Sequence, residues 1–235
     1  MNHIYEGTLN KNGQEGPLPF RVRTLNSDHL PAILNVQEEV LLQLQGKDTL
    51  QPLTKEEFEF ILTGKGLMIG AFDEEKLIAF RALLVPPIDE EHLGIDIGLP
   101  EEELSRVIYQ EISNVLPAYR GNQLQKILAT LIMQELAKSN HGYRYVCCTV
   151  APFNMPSLKD KFAQGMEIGA LKEKYGGSLR YVFMKDLKES EPQEFGEITS
   201  ILMSDTAAQQ AKLTEGWRGV TMEEREGTMW VVFGR

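Results

Sequence analysis

The sequence has few of the residue types that mark disulfide-rich, metal-binding or membrane-embedded proteins. Its two cysteines, Cys147 and Cys148, are adjacent. Neighbours in a strand point to opposite faces, so we expect two core side chains and no disulfide between them. The four histidines, at positions 3, 29, 92 and 141, are scattered and give no support for a metal site. No stretch reaches the length of a membrane span and no signal-peptide pattern opens the chain, so we predict a cytoplasmic protein with neither a metal nor a membrane partner.

Positive charge is also scarce, because 34 acidic residues outnumber 24 basic ones and give a formal net charge of −10. A protein that binds nucleic acid needs a basic face, so we expect no nucleic-acid partner. The charge suits a cationic amine substrate, although many proteins are acidic for solubility alone. A length of 235 residues is enough for one large domain, or for one domain with a small appendage.

The segment from Val107 to Leu136 is the stretch around which the rest of the chain is arranged. It begins with β-branched and aromatic residues, which favour a strand. Pro117 cannot donate to a ladder and predicts the end of that strand near Leu116. Apolar residues then recur at helical spacing and predict a helix from about Asn122. These residues are Leu124, Ile127, Leu128, Leu131, Ile132 and Leu136.

The turn between this strand and this helix has the chemistry of an anion site. The first N–H groups of a helix have no partner within it, and the helix dipole adds positive potential. Gly121 is free to adopt unusual dihedral angles, and Arg120 can add a charge-assisted hydrogen bond. A pyrophosphate would fit here. An ordinary connection with a surface arginine would look the same, so the turn alone does not decide between them.

The segment LPAYRGNQLQKIL resembles the acetyl-CoA-binding motif of the GNAT N-acetyltransferases, whose pattern is Gln/Arg-x-x-Gly-x-Gly/Ala. Arg120 matches the first position of the pattern, whereas Gln123 and Gln125 stand where the two later glycines usually are. Downstream, APFNMPS resembles the family's Asn-x-x-Ser/Ala segment through Asn154 and Ser157. The resemblance covers about residues 20–187. It implies an α/β fold, with a central mixed sheet of about six to seven strands flanked by helices.

The resemblance also implies acetyl-CoA as co-substrate and distributes residues around it. Backbone groups of Ser113, Asn114 and Val115 would pair with the pantetheine arm by strand addition. Asn154 would bond the arm from the other side, with Ser157 nearby. The residues that would hold the pyrophosphate are Arg120, Gly121, Asn122, Gln123, Leu124 and Gln125.

Direct attack of a neutral amine on the thioester needs a base and a proton source for the thiolate. Glu111 is the candidate base, because it lies two residues before Ser113 on the same strand face and an apolar strand would raise its pKa. A structural carboxylate is the alternative reading. Family members often carry a Tyr and a carboxylate where Lys161 and Thr149 stand here. The proton source therefore stays open between Ser157, which is our catalytic candidate, a water molecule and another tyrosine.

Two further residues are candidates for substrate binding. Asp96 lies in an acidic loop at 88–105, which precedes the central strand, and Tyr109 shares the face of Glu111. A solvated connection is the alternative for this loop. We divide the chain into an N-terminal arm at 1–19, a GNAT domain at 20–187 and a C-terminal helix and hairpin at 188–235. That extension could complete a substrate site, form a homodimer interface or cover a sheet edge.

Three readings follow from the sequence. The first is an N-acetyltransferase that acts on a primary amine of a small molecule or peptide. The second is a non-catalytic acyl-CoA-binding sensor or partner-binding module, which the two glutamines and the absent tyrosine keep open. The third is an unrelated α/β protein whose Arg-Gly turn is accidental.

Overall fold

The computed structural model describes residues 3–11, 15–43, 51–139, 142–188 and 194–235. The strands in this part of the chain are β1 (Tyr5–Leu9), β2 (Leu18–Thr24), β3 (Gly66–Asp73), β4 (Lys76–Leu84), β5 (Val107–Val115), β6 (Tyr145–Val150), β7 (Glu167–Lys174), β8 (Ser178–Asp186), β9 (Ile198–Leu202), β10 (Arg218–Arg225) and β11 (Thr228–Gly234). The α-helices are α1 (Leu30–Leu42), α2 (Lys55–Phe60), α3 (Leu93–Asp96), α4 (Glu101–Leu104), α5 (Leu124–Lys138), α6 (Met155–Ala163) and α7 (Thr206–Thr214).

The chain forms two compact units, one from residues 1–85 and 109–141 and the other from residues 86–108 and 142–235. The predicted α/β class, with a sheet flanked by helices, is confirmed. The described strands number eleven, which is more than the six to seven predicted. The predicted division at residues 19 and 187 stays a prediction, and residues 189–193, at the start of the predicted C-terminal extension, lie outside the described residues.

The first unit is built from five antiparallel strands in the order β1-β2-β3-β4-β5. Helices α1 and α5 pack against β4. Helix α2 begins with a capping box, in which the Thr54 hydroxyl accepts from the backbone N–H of Glu57. Phe58 of α2 is fully buried and meets Phe80 of β4 edge to face, with ring centroids 5.8 Å apart. These contacts fix the sheet that carries β5 and the turn into α5.

The apolar face predicted for α5 is confirmed. Its buried residues are Leu124, Leu128, Ala129, Leu131, Ile132 and Leu136. Ile127, the remaining member of the predicted face, is half-buried. The preceding strand ends at Val115, one residue before the position that Pro117 predicted.

The second unit contains six strands in the order β6-β8-β7-β10-β11-β9, all paired antiparallel. Strand β6 carries Cys147 and Cys148, and both side chains are buried in the core, as predicted. The C-terminal hairpin β10–β11 joins this sheet where Gly219 pairs with Ile168 of β7. None of the described helices is both long and apolar enough to cross a membrane.

Candidate active site

The turn from β5 into α5 has two residues with positive φ, and only one of them is a glycine. Gly121 has φ 86°, as the predicted flexibility of a glycine allows. Gln123 has φ 57° and ψ 19°, the left-handed region, and immediately precedes Leu124, the first residue of α5. A glutamine thus holds the backbone conformation that glycine adopts most easily at this position of the motif. Gln125 lies within α5, and the side chains of both glutamines are exposed.

Charge and helix geometry coincide at this turn. Gln123 is the N-cap residue of α5, and its side chain forms no capping hydrogen bond. Arg120 is exposed, and its guanidinium forms no hydrogen bond or ion pair with any other described residue, whereas its backbone N–H donates to the carbonyl of Pro117 at 3.2 Å. An uncapped helix N-terminus beside an uncommitted arginine is suited to an anion.

Four side-chain hydrogen bonds brace the turn within the first unit. The Tyr119 hydroxyl donates to Asp73 Oδ2 at 2.7 Å, and burial together with this carboxylate raises the pKa of Tyr119. Asn122 Nδ2 donates to the carbonyl of Asn10 at 2.6 Å and to the carbonyl of Tyr119 at 2.9 Å. Asn122 Oδ1 accepts from the backbone N–H of Asn10 at 2.7 Å. The Asn122 side chain is therefore committed to structure, which leaves its backbone as the part that could meet a phosphate.

A β-bulge places Glu111 at an irregular point of β5. Ala82 and Leu83 are consecutive on β4 but pair with Ile112 and Gln110, so Glu111 is the extra residue. Sequence reasoning missed this bulge, because only the pairing with β4 shows it. Bulges re-aim side chains and are frequent beside active sites.

Burial of the Glu111 carboxyl shifts its pKa toward neutrality. Glu111 is half-buried, and burial raises the pKa of its carboxyl from 4.5 to about 7, with a smaller contribution from the negative charge of Glu57. A carboxylate with a pKa near neutrality can accept a proton and release it again at physiological pH.

The residues predicted to meet the pantetheine arm lie together on β5. Ser113 Oγ and Asn114 Nδ2 are buried and hydrogen-bond to no described residue. Buried polar atoms normally have partners, and neighbouring strand residues point to opposite faces, so each of these atoms is compatible with a polar ligand on its own face of the strand. Val115, the last residue of β5, pairs with Ala79 of β4. Beyond the strand, Arg81 is buried and donates to Gln110 Oε1 at 2.6 Å and to the carbonyl of Gln125 at 3.5 Å, which ties β5 to the first turn of α5.

Asn154 and Ser157 lie together at the start of α6 in the second unit. Asn154 is the N-cap of the helix, and its Oδ1 accepts from the backbone N–H of Ser157 at 3.3 Å. Lys161, which stands where family members often carry a tyrosine, pairs with Asp160 at 3.5 Å. The Asn-x-x-Ser spacing therefore has a local structural use, and the predicted contact of these two residues with acetyl-CoA stays a prediction.

Asp96 and Tyr109, the candidate substrate ligands, lie in different units. The Asp96 side chain is only 8% exposed and pairs with Lys172 and Lys174, each at 3.0 Å. Its charge is thus already compensated by two ammonium groups, so a substrate amine would have to displace one of them. Tyr109 is half-buried on β5, opposite Leu84 of β4. Their roles in binding a substrate remain predictions.

No family model matches the sequence, and no curated protein is significantly similar to it. Solved structures do share its fold. A protein of Acinetobacter baylyi assigned as an acetyltransferase superposes with a TM-score of 0.55 at 17% identity, over 74% of this chain and 96% of its own. The ribosomal-protein-S18-alanine N-acetyltransferase of Escherichia coli gives 0.54 at 13% identity, over 75% and 99%.

A third structure, of a Salmonella typhimurium protein assigned as an acetyltransferase, was solved with its cofactor acetyl-CoA. It superposes with a TM-score of 0.53 at 12% identity, over 74% of this chain and 98% of its own. The chain thus has the fold of the GNAT N-acetyltransferases, as the sequence motif predicted. Each of these relatives is covered almost completely, whereas about a quarter of this chain lies outside the shared region.

Proposed function

We propose that the protein is an acetyl-CoA-dependent N-acetyltransferase that transfers an acetyl group to a primary amine of a small molecule or peptide. The observation that carries the proposal is the turn at Arg120–Gln123. There Gln123 has the left-handed conformation that glycine adopts most easily, at a position where the family pattern has glycine, and this supports a phosphate-binding turn. The exposed Arg120 and the uncapped start of α5 supply the positive potential.

Acetyl-CoA would supply an activated thioester, and the chain would hold it along β5. Backbone groups of Ser113, Asn114 and Val115 would bond the amide groups of the pantetheine arm, since the logic of strand addition applies to any extended amide chain. The buried polar atoms of Ser113 and Asn114 support a polar occupant here. Gly121, Asn122, Leu124 and Gln125 would join Arg120 and Gln123 around the pyrophosphate, and Asn154 and Ser157 would contact the arm.

Glu111 would act as the base that takes a proton from the substrate ammonium. The neutral amine then attacks the acetyl carbon, the carbon–sulfur bond breaks and the thiolate receives a proton. The raised pKa of Glu111 supports this role, because a base that titrates near neutrality accepts a proton more readily than an ordinary glutamate. Ser157 is the candidate for supplying the proton, and Tyr109 and Asp96 are candidates for contacts with the acceptor. We further propose that the protein acts in the cytoplasm, without a metal, nucleic-acid or membrane partner.

Calorimetric titration of the protein with acetyl-CoA tests the proposal. We expect micromolar binding, and we expect Arg120→Ala to weaken it about ten- to a hundredfold, the range for one lost charge-assisted hydrogen bond. Lys138→Ala is the matched control, since it removes one cation at the other end of the same helix. No binding of acetyl-CoA to the wild-type protein would refute the proposal. Binding without acetyl transfer to any of a panel of amines would favour an acyl-CoA-binding sensor.

A further inference from the structure

A buried arginine in the second unit has no anionic partner in the part of the chain that the structure describes. Arg180 of β8 is 8% exposed. Its Nη1 donates to the carbonyl of its own neighbour, Leu179, at 3.1 Å, and its Cζ lies 5.8 Å from the centroid of the Tyr175 ring. No carboxylate among the described residues forms an ion pair with it. A charge that few water molecules reach is unfavourable without a counter-charge, so an anion that the described residues do not supply would stabilise this guanidinium.

The neighbouring charges do not compensate it. Lys172 lies directly opposite Arg180 across the β7–β8 pair, and like charges in that position destabilise a sheet. Lys172 and Lys174 each form an ion pair with Asp96 at 3.0 Å. Lys174 forms a second ion pair, with Glu91 at 2.7 Å. Three cations therefore meet two carboxylates on this surface, which leaves one positive charge in a protein whose net charge is −10.

Tyr175 is held over this guanidinium by a strained turn. It has φ 54°, and the two glycines that follow it also have positive φ. A left-handed conformation is unfavourable for a residue other than glycine, and such strain persists where the surroundings enforce it. Its hydroxyl forms a 3.1 Å hydrogen bond with Thr149 Oγ1 on β6. The ring is 53% exposed, so the cluster of Arg180, Tyr175 and Thr149 opens at the surface.

We propose that Arg180, Tyr175 and Thr149 form a subsite for the carboxylate of the acceptor, which would be an amino acid or a peptide that carries both an amine and a carboxylate. One uncompensated cation matches the single charge of a carboxylate, whereas a phosphate dianion would need another. Nε and Nη2 of Arg180 bond to no described residue, and a guanidinium presents such donors as a pair that fits two carboxylate oxygens.

The position of the subsite suits an acceptor. Thr149 is the last residue but one of β6, and the chain leads from there into Asn154 and Ser157, which were predicted to contact acetyl-CoA. The amine half of this assignment rests on the proposed acetyl transfer. The carboxylate half rests on the described residues of the second unit alone, so the two can be tested separately.

The carboxylate subsite is tested by calorimetry without acetyl-CoA. The probes are N-acetyl derivatives of glycine, alanine, lysine and glutamate and of short dipeptides, each compared with its C-terminal amide. We expect at least one free carboxylate to bind and its amide to bind about ten- to a hundredfold more weakly. The dipeptides separate a peptide acceptor from a free amino acid. Equal affinity for carboxylate and amide, no binding of any carboxylate, or tighter binding of inorganic phosphate would overturn the proposal.

Variants then assign the effect to Arg180. Arg180→Gln should abolish the preference for carboxylate over amide, Arg180→Lys should retain part of it, and Tyr175→Phe should reduce it a few fold. Arg218→Gln is the matched control, because Arg218 also donates Nη1 to its preceding carbonyl, that of Trp217, and should leave the preference unchanged.

Turnover provides a second readout that separates the two proposals. In the presence of acetyl-CoA, Arg180→Gln should raise KM for the acceptor and leave KM for acetyl-CoA unchanged. A change confined to acetyl-CoA would assign Arg180 to that molecule and overturn the carboxylate subsite. Failure of acetyl-CoA to bind at all would instead refute the acetyltransferase and leave the carboxylate titration interpretable.

Discussion

Replacing Gln123 by glycine should stabilise the protein, although glycine usually destabilises. Gln123 has φ 57°, a conformation that costs an ordinary L-residue about 1–2 kcal/mol. Glycine removes that cost but enlarges the conformational freedom of the unfolded chain, which offsets about 0.4–1 kcal/mol. The expected net gain is about 0.5–1 kcal/mol in the free energy of unfolding, or roughly 1–4 °C in the melting temperature for a chain of this size.

Gln125 supplies a control from the same motif. It is the other position at which the family pattern has a small residue, but here it lies in the first turn of α5. Gln125→Gly should therefore lower stability by about 0.5–1 kcal/mol, because glycine in a helix loses more conformational freedom on folding. The two substitutions are chemically identical and should have opposite signs.

Thermal and denaturant unfolding followed by circular dichroism measures both effects. Gln123→Ala belongs in the same series, since alanine has a Cβ and should bring no comparable gain. If Gln123→Gly left stability unchanged or lowered it, the left-handed conformation could not be costing the fold what we assign to it. Micromolar affinity for acetyl-CoA in the Gln123→Gly variant would show in addition that the side chain is dispensable for the proposed pyrophosphate site.

Three further predictions concern the side chains of Glu111 and Tyr119. If Glu111 is the base, kcat/KM should rise with pH through about 7. Glu111→Gln should lower kcat/KM about 10²–10⁴-fold and remove that rise. A rise that survives in the variant would exclude Glu111 as the base. Because the folded protein raises this pKa from 4.5 to about 7, folding retains a proton that the unfolded chain releases, so the free energy of unfolding should fall as pH rises across that window, and less so in Glu111→Gln. Tyr119→Phe removes the hydrogen bond to Asp73 and should cost about 1.5–3 kcal/mol of stability, the range for a bond to a charged group, measured by denaturant unfolding with Tyr5→Phe as the exposed control.

The regular elements were predictable where local chemistry dictates them. The helical spacing of the leucines predicted α5, and Pro117 predicted the end of β5. Each signal lies within a few residues of the feature it predicts. For the same reason β9 was missed, because Ile198–Leu202 is a short segment held by pairing with β11 about thirty residues later.

The site was predictable in its motif and not in its geometry. The bulge at Glu111 arises from pairing with β4, and the left-handed Gln123 has no signal of its own, since glutamine rarely adopts that conformation. The glycine that the family pattern expects there was the available clue. Asp96 illustrates the converse, because an acidic residue in a loop gave no hint of the two lysines that pair with it from β7.

The hydrogen bonds between Asn122 and Asn10 have a consequence for the order of events during synthesis. Strands β1 and β2 pair locally, so this hairpin can form as soon as both have left the ribosome. Asn122, the hydrogen-bond partner of Asn10, is synthesised 112 residues later. At about 5–20 residues per second, translation takes roughly 6–20 s to deliver it. The turn at Arg120 therefore closes late on the nascent chain, against an N-terminal segment that has been made long before.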